Sequence, residues 1–364
     1  MEKENSSKKF IKRFLVAVLA VVVFIAGVVV FFDPFYHYHK PWCGLKAVLN
    51  DKEYQCVGTL RNFDYNALLV GSSVMENNNN GWYDDAYGVK SIKAIRSYGA
   101  TADLCYLLDI AYENHDLDYV FYNIDPSSLV ADAETTFEAA GCPMYLYDKN
   151  PINDVNYLFN KDVLFEKIPY QVANSFMGDY DEGLSYNWAK WKTFGADQTL
   201  SIYFRQKNVV PMLDKDVHKD KVLKNIELLT KQVREHPDTK FVFFYPAYSM
   251  LWWDGAVRTG ERDAFIQSEK MMTEELLKYD NAKVFCFQGE EEIVTNLDNY
   301  MDSIHFSPDI NKFMLDKIID GQNELTESNY KEKLDEVKAL SEKIVKKIMP
   351  EYEAEDRFVY DMTE

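Results

Sequence analysis

The sequence predicts an α/β fold built on a parallel sheet of five strands. Short apolar runs alternate with helical patterns, which is typical of βαβ units. Several of these runs end at glycine or at small polar residues, where the chain can turn out of a sheet. The five predicted strands lie at 65–70, 90–98, 119–125, 240–245 and 282–288.

The segments between and after the predicted strands have apolar residues at the spacing of helices that bury one face. Thr101 is a suitable cap for the first of them, and Pro237 stops the second. The acidic tail up to Glu364 is expected to be partly disordered. Helices are predicted over 101–114, 216–236, 262–277, 308–319 and 331–349.

Length and charge limit the organisation of the chain. Its 364 residues are 47% apolar and carry a net charge of −19, which argues against nucleic acid as a partner. We expect one large domain at 61–325, followed by a C-terminal helix and acidic tail at 326–364. Residues 127–215 break the strand–helix alternation and are interpreted as an insertion covering the strand ends.

The N-terminus predicts a membrane anchor. Residues 1–13 are rich in lysine and form a predicted cytoplasmic tail, and 14–32 lack charge and proline and are long enough to span a bilayer. A juxtamembrane segment at 33–60 then leads to a domain outside the cell. A cleaved signal peptide is the alternative, but its apolar stretch would be shorter, and no small-x-small cleavage site follows. The lipid bilayer is therefore the first predicted partner.

The cysteines and histidines do not predict a metal site. None of the five cysteines forms a C-x-x-C pair. Cys43 and Cys56 either form a disulfide outside the membrane or remain thiols. His37 and His39 have the spacing of metal ligands, but no neighbouring carboxylate or cysteine set completes a site. No metal and no cofactor are predicted.

A serine follows the first predicted strand, and a histidine that could activate it lies far downstream. Ligands bind at the carboxyl ends of strands in open α/β sheets, so Ser73 is well placed to be a nucleophile. A serine hydroxyl needs a base, and that base needs a carboxylate to orient it. Asp302 and His305 have a suitable spacing, and Pro308 then fits the first turn of a helix. The three residues predict a catalytic triad.

Each member of this set also has an ordinary structural interpretation. Ser72 and Ser73 are favoured helix N-caps. His305 is compatible with a buried, hydrogen-bonded histidine, and Asp302 with a carboxylate near a helix start. The combination of all three in chain order favours the functional interpretation.

The ordered motifs resemble those of SGNH/GDSL-type hydrolases, in a membrane-anchored bacterial branch. Gly71-Ser72-Ser73 matches the first block, whose last serine is the nucleophile, and Gly99 matches the second-block glycine. Asp302-Ser303-Ile304-His305 matches the fifth block, D-x-x-H. The resemblance covers roughly 60–125 and 238–320. It implies a flavodoxin-like sheet of five parallel strands.

Two positions depart from this family pattern. The usual G-D-S reads G-S-S, as it also does in the extracellular protein of teichoic-acid D-alanylation. The third block, normally G-x-N-D, reads Tyr122-Asn123-Ile124-Asp125, with isoleucine at the asparagine position. Asn123 replaces that donor only if the strand ends with a bulge. The implied oxyanion hole therefore contains Ser73 and Gly99, with Asn123 as a third donor only in that case, and losing one donor costs about a hundredfold in rate.

The resemblance implies acyl-ester chemistry on the outer face of the membrane. An acyl group on Ser73 would pass to water or to a sugar hydroxyl, so hydrolase and transferase both stay open. The implied substrates are acetylated or D-alanylated envelope polysaccharide or teichoic acid. The alternative is a non-catalytic accessory protein that binds the polymer or a membrane-bound O-acyltransferase.

Overall fold

The computed structural model describes residues 2–177 and 181–361, which group into two compact units. The first unit comprises Met1–Phe63 and Gly141–Glu182. The second comprises Asp64–Ala140 and Gly183–Glu364. The segment 127–215, interpreted from the sequence as one insertion, is therefore divided between the two units.

The second unit contains a mixed sheet of six strands in the order β2-β1-β3-β5-β6-β7. The first five in that order are parallel, and β7 is antiparallel to β6. Strands β4 and β8 form a separate parallel pair. The strands are β1 (Ala67–Gly71), β2 (Ser91–Ile95), β3 (Tyr119–Asn123), β4 (Phe204–Gln206), β5 (Lys240–Tyr245), β6 (Ala282–Cys286), β7 (Glu324–Leu325) and β8 (Val359–Asp361).

The predicted α/β class with a mostly parallel sheet is confirmed, but the count of five strands is wrong. β7 has only two residues, which is too short to produce a recognisable apolar pattern. The tail that was expected to be partly disordered is ordered as far as Asp361, where β8 pairs with β4. Phe358 lies under the guanidinium of Arg205 at 4.6 Å, which fixes the tail beside β4. Residues 362–364 lie outside the described residues.

Four of the predicted helices occur close to their expected bounds, and the fifth continues into a π-helical turn. Helices α5, α11 and α13 pack side by side, as do α4 and α15. Two π-helical segments cover Val163–Lys167 and Ile344–Ile348, and 3₁₀ turns cover Glu182–Leu184, Ala189–Trp191 and Leu297–Asn299. The α-helices are α1 (Glu2–Phe32), α2 (Lys52–Asn62), α3 (Ser73–Glu76), α4 (Asn80–Tyr87), α5 (Thr101–Tyr112), α6 (Pro126–Val130), α7 (Met144–Tyr147), α8 (Val155–Leu158), α9 (Ile168–Met177), α10 (Ala196–Ser201), α11 (Lys219–Glu235), α12 (Met250–Arg258), α13 (Arg262–Leu276), α14 (Glu291–Val294), α15 (Pro308–Ile319), α16 (Tyr330–Lys343) and α17 (Met349–Ala354).

The first unit is organised around the end of α1. Within α1, Ser6–Phe32 is long and apolar enough to cross a membrane, and a stretch of 18 residues in it has a mean hydropathy of 3.3. Asp33 follows immediately and is buried, and burial raises the pKa of its carboxyl group despite the donors around it. It accepts hydrogen bonds from the backbone N–H groups of three successive residues and from the Tyr157 hydroxyl. This carboxyl group fixes the turn by which the chain leaves α1. Cys43 and Cys56 are both thiols.

Candidate functional site

Ser73 lies where β1 ends and α3 begins. Ser72 takes the extended N-cap conformation, and Ser73 is the first residue of the helix. A Cβ atom at Gly71 would lie 2.9 Å from the Cβ of Met75 and 3.0 Å from Oδ1 of Asn123, so only glycine fits there. Because Gly71 lets the chain pass close to β3, the chain can turn sharply here, and Ser73 lies beyond the carboxyl end of the sheet.

Asp302 holds the loop that carries His305. Its Oδ1 accepts the N–H groups of Ile304 at 2.8 Å and His305 at 2.7 Å. The Ser249 hydroxyl, at the start of α12, donates to the carbonyl oxygen of Ser303 at 2.8 Å. The loop is therefore fixed both internally and to the segment that follows β5.

Ser73, His305 and Asp302 form a continuous hydrogen-bonded relay. Oγ of Ser73 lies 2.7 Å from Nε2 of His305, and Nδ1 of His305 lies 2.7 Å from Oδ2 of Asp302. A carboxylate only accepts hydrogen bonds, so the proton of a neutral imidazole resides on Nδ1. Nε2 is then free to accept the serine proton. Ser73 and His305, which are 232 positions apart in the sequence, thus lie in the arrangement that nucleophilic catalysis requires.

The surroundings of Asp302 favour its ionised form. Burial alone would raise the pKa of this carboxyl group. Hydrogen bonds and charge from the His305 ring, together with the N–H groups of His305 and Ile304, outweigh burial and hold the pKa below its ordinary value. An ionised Asp302 can stabilise the imidazolium that forms when His305 takes a proton.

Trp188 supports the hydrogen-bonded relay, although no sequence pattern identified this residue. Its indole N–H donates to the carbonyl oxygen of Ser73 at 3.1 Å. Its ring meets that of His305 edge to face, with centroids 5.0 Å apart. The Asn77 side chain in turn accepts the backbone N–H of Trp188. Trp188 belongs to the segment 127–215, whose composition alone does not single out one aromatic residue.

The three predicted oxyanion donors differ in whether their N–H groups are already hydrogen-bonded. As the first residue of α3, Ser73 has an N–H that the helix does not use. The N–H of Gly99 instead donates to the carbonyl oxygen of Arg96 at 3.0 Å. Asn123 pairs in regular register with Phe244, without a bulge, and its amide donates to Asp125 at 3.3 Å. The Gly99 N–H would have to leave Arg96 to act as a donor, whereas the Asn123 amide has a second N–H besides the one that Asp125 accepts, so the role of both residues stays a prediction.

Asp125 is a second acidic group at the site, and its surroundings contrast with those of Asp302. It is buried, and its carboxyl group accepts hydrogen bonds from Tyr248 and Asn123 and interacts with the side chain of Ser72. Burial raises its pKa, although these three partners and the charge of His305 oppose the shift. Its neighbours in the third block were recognised from the sequence, but the partnership with Tyr248 was not.

A pocket of about 570 Å³ opens beside Ser73 and His305. Gly99 and Asp125 also line it, whereas Asn123 is not among its described lining residues. Tyr98 lies at its edge, is 89% exposed, and has a φ of 54°, which disfavours a bulky side chain. Such an exposed, strained aromatic residue at a pocket is a candidate for ligand contact. Its position next to Gly99 is the one sequence signal that could have identified it.

Comparison with known proteins adds no family assignment. No family model matches the chain, and no curated protein matches it.

Proposed function

We propose that the chain is a membrane-anchored serine esterase or O-acyltransferase of the SGNH type, acting outside the cell on acylated envelope polysaccharide or teichoic acid. The observation that carries this proposal is the Ser73–His305–Asp302 relay, with 2.7 Å at both steps. The pocket beside the serine provides room for a substrate acyl group and part of its sugar.

The relay supports acyl transfer in two steps. Oγ of Ser73 attacks the ester carbonyl carbon while Nε2 of His305 takes the hydroxyl proton. The tetrahedral intermediate then expels the alcohol, which receives that proton, and the acyl group stays on Ser73. Water or an acceptor hydroxyl next attacks the acyl-enzyme with His305 again as base, and Ser73 regains its proton. Asp302 stabilises the imidazolium in both steps.

The order of the parallel strands supports the family assignment. β2-β1-β3-β5-β6 corresponds to the order 2-1-3-4-5 of flavodoxin-like sheets, in which ligands bind at the carboxyl ends of the strands. The additional antiparallel β7 extends one edge of this arrangement. The apolar part of α1, with lysines in the helical turns that precede it, supports an anchor whose N-terminus is cytoplasmic.

Labelling with a fluorophosphonate tests the proposed chemistry. The full chain in detergent should become labelled, with the adduct mapped by peptide mass to Ser73 rather than to Ser72. Ser73→Ala should abolish labelling and His305→Ala should nearly do so. Ser201→Ala, on α10, is the matched control and should label like the wild type. Absence of labelling in folded wild-type protein would contradict the proposal.

A non-catalytic accessory role is the second candidate function. The observation that favours it is that the Gly99 N–H already donates to Arg96 and that Asn123 is not among the described residues lining the pocket. Such a protein would use the pocket to bind a polymer or a membrane-bound acyltransferase without transferring an acyl group. Complementation of a deletion strain separates the two functions. Full rescue by Ser73→Ala and His305→Ala would favour the accessory role, and loss of rescue would favour catalysis.

A further inference from the structure

Part of the first unit exposes apolar side chains where a water-facing surface would carry charges. Phe165 is 78% exposed and Phe176 is 62% exposed. We call the group the juxtamembrane apolar surface. It consists of Trp42, Val155, Phe159, Phe165, Tyr170, Phe176 and Met177.

The exposure follows from the way the segment Val163–Met177 packs. Its buried positions, which include Ile168, Gln171 and Ser175, recur at helical spacing and face the first unit. The opposite side, which should be polar in a water-facing helix, presents aromatic residues and methionine instead. Glu166 is the one acidic residue among the exposed positions of this segment.

This surface is tied to the end of α1. The hydroxyl of Ser175 accepts the backbone N–H of Lys46 at 2.9 Å, which places the end of α9 beside the chain leaving α1. Trp42 donates its indole N–H to the carbonyl oxygen of Phe31 at 2.7 Å. The same indole lies 5.4 Å from the Phe31 ring, between centroids.

The length of α1 determines the depth in the bilayer at which these contacts lie. The uncharged part of α1, 14–32, has 19 residues, and at about 1.5 Å per residue it is about as long as a hydrocarbon core of about 30 Å is thick. With the charged residues before it in one headgroup region, its last turn lies at the opposite boundary of the core. There Val29 is buried, and α8 packs beside the helix while Val155 stays exposed.

We propose that the juxtamembrane apolar surface inserts into the boundary between headgroups and acyl chains, in the leaflet from which α1 emerges. This inference depends on the proposed anchor but not on the proposed acyl chemistry. Aromatic residues favour this depth, and an apolar helix face lies there with its axis along the membrane plane. The first unit would then be held against the membrane by a surface as well as by a tether.

Photocrosslinking in vesicles tests this placement. p-Benzoylphenylalanine replaces Phe165, Phe176, Phe24 or Leu223, one at a time, in the full chain. Each protein is reconstituted into vesicles of phosphatidylcholine and phosphatidylglycerol and irradiated. Phe24 lies in α1 and is the positive control, and Leu223 is an exposed apolar side chain of α11 in the second unit.

We expect lipid adducts, identified by mass, at positions 165, 176 and 24, and several-fold less at 223. A lipid adduct at 24 without one at 165 and 176 would overturn the inference while leaving the anchor intact. Crosslinks from 165 or 176 to a second copy of the chain would also overturn it, as would equal lipid labelling at 223. Failure at 24 as well would refute the anchor itself, and the acyl chemistry would still be tested by labelling of Ser73.

Discussion

Asp302 and Asp125 both interact electrostatically with His305, yet their surroundings move their pKa values in opposite directions. Asp302 is partly exposed and receives the imidazole N–H and two backbone N–H groups, so its pKa lies below the ordinary value. Asp125 is buried, and desolvation dominates over its donors, so its pKa is raised. The surroundings of Asp302 favour the charged form of its carboxyl group, and those of Asp125 disfavour it.

In the proposed acyl transfer, this difference would give the two groups different roles. A charged partner on Nδ1 of His305 would stabilise the imidazolium that each proton transfer creates. Burial of Asp125 disfavours a second charge near Ser73, and such a charge would oppose the negative oxygen that develops on the substrate. Sites that perform acid–base chemistry commonly separate the pKa values of two titratable groups in this way.

Asp302→Asn should have the largest effect. The amide would offer Nδ1 of His305 either a donor or an uncharged acceptor, which favours the wrong tautomer and leaves the imidazolium without a counter-charge. We expect the rate of ester hydrolysis, or of fluorophosphonate labelling, to fall by about 10³ to 10⁴. The measurement is the pseudo-first-order labelling rate of purified protein.

Asp125→Asn provides the matched control, because it makes the same chemical change on the other side of the site. It should reduce labelling far less than Asp302→Asn. Equal losses in the two variants would contradict the assignment of different roles.

Trp188→Phe should have an intermediate effect. Phenylalanine keeps an aromatic ring beside His305 but removes the N–H that donates to the Ser73 carbonyl oxygen. Since a hydrogen bond of this kind is worth about 1 kcal/mol, we expect a fall in the labelling rate of up to about tenfold. Trp191→Phe, three residues away and highly exposed, is the control. A similar loss in both variants would show that the effect is not due to the Ser73 contact.

These effects could be anticipated from the sequence only in part. The parallel strands were predictable because each is a short run in which apolar residues predominate. The candidates Ser73, Asp302 and His305 were predictable because motif order and local spacing identify them, although their catalytic role stays a prediction. Trp188 was not predictable, because its contacts depend on how a long irregular segment folds back on α3.

The oxyanion donors illustrate a different limit. A motif identifies Gly99, but whether its N–H points to a substrate depends on a single bond to Arg96 within one turn. The opposite pKa shifts of Asp125 and Asp302 depend on burial, which sequence spacing does not reveal. β7 and β8 were missed because two- and three-residue strands form through tertiary pairing rather than local pattern.

The contributions of the two carboxyl groups to the free energy of unfolding should also depend on pH in opposite ways. The folded pKa of Asp302 is lowered, so its contribution is present above the ordinary value of 3.8 and is lost as the pH falls through the folded value. The folded pKa of Asp125 is raised, so its contribution is present below 3.8 and is lost as the pH rises through the folded value.

Urea unfolding of the wild type, Asp302→Asn and Asp125→Asn, followed from about pH 2 to about pH 7, measures this contrast. The loss of stability caused by Asp302→Asn should grow as the pH rises to about 5 and then stay constant. The loss caused by Asp125→Asn should shrink as the pH rises above about 4 and can become a gain. Parallel pH dependences would contradict the separation of the two pKa values.

The smallest effect is expected at Tyr98, which lines the same pocket as Asp125 but is strained instead of buried. Tyr98→Gly should raise the free energy of unfolding by about 1 kcal/mol, because glycine adopts a φ of 54° without strain. Tyr98→Ala keeps the strain and should not gain stability. Both variants remove the exposed ring and should raise KM for an acetylated oligosaccharide. A gain in stability with unchanged KM would assign Tyr98 no part in binding.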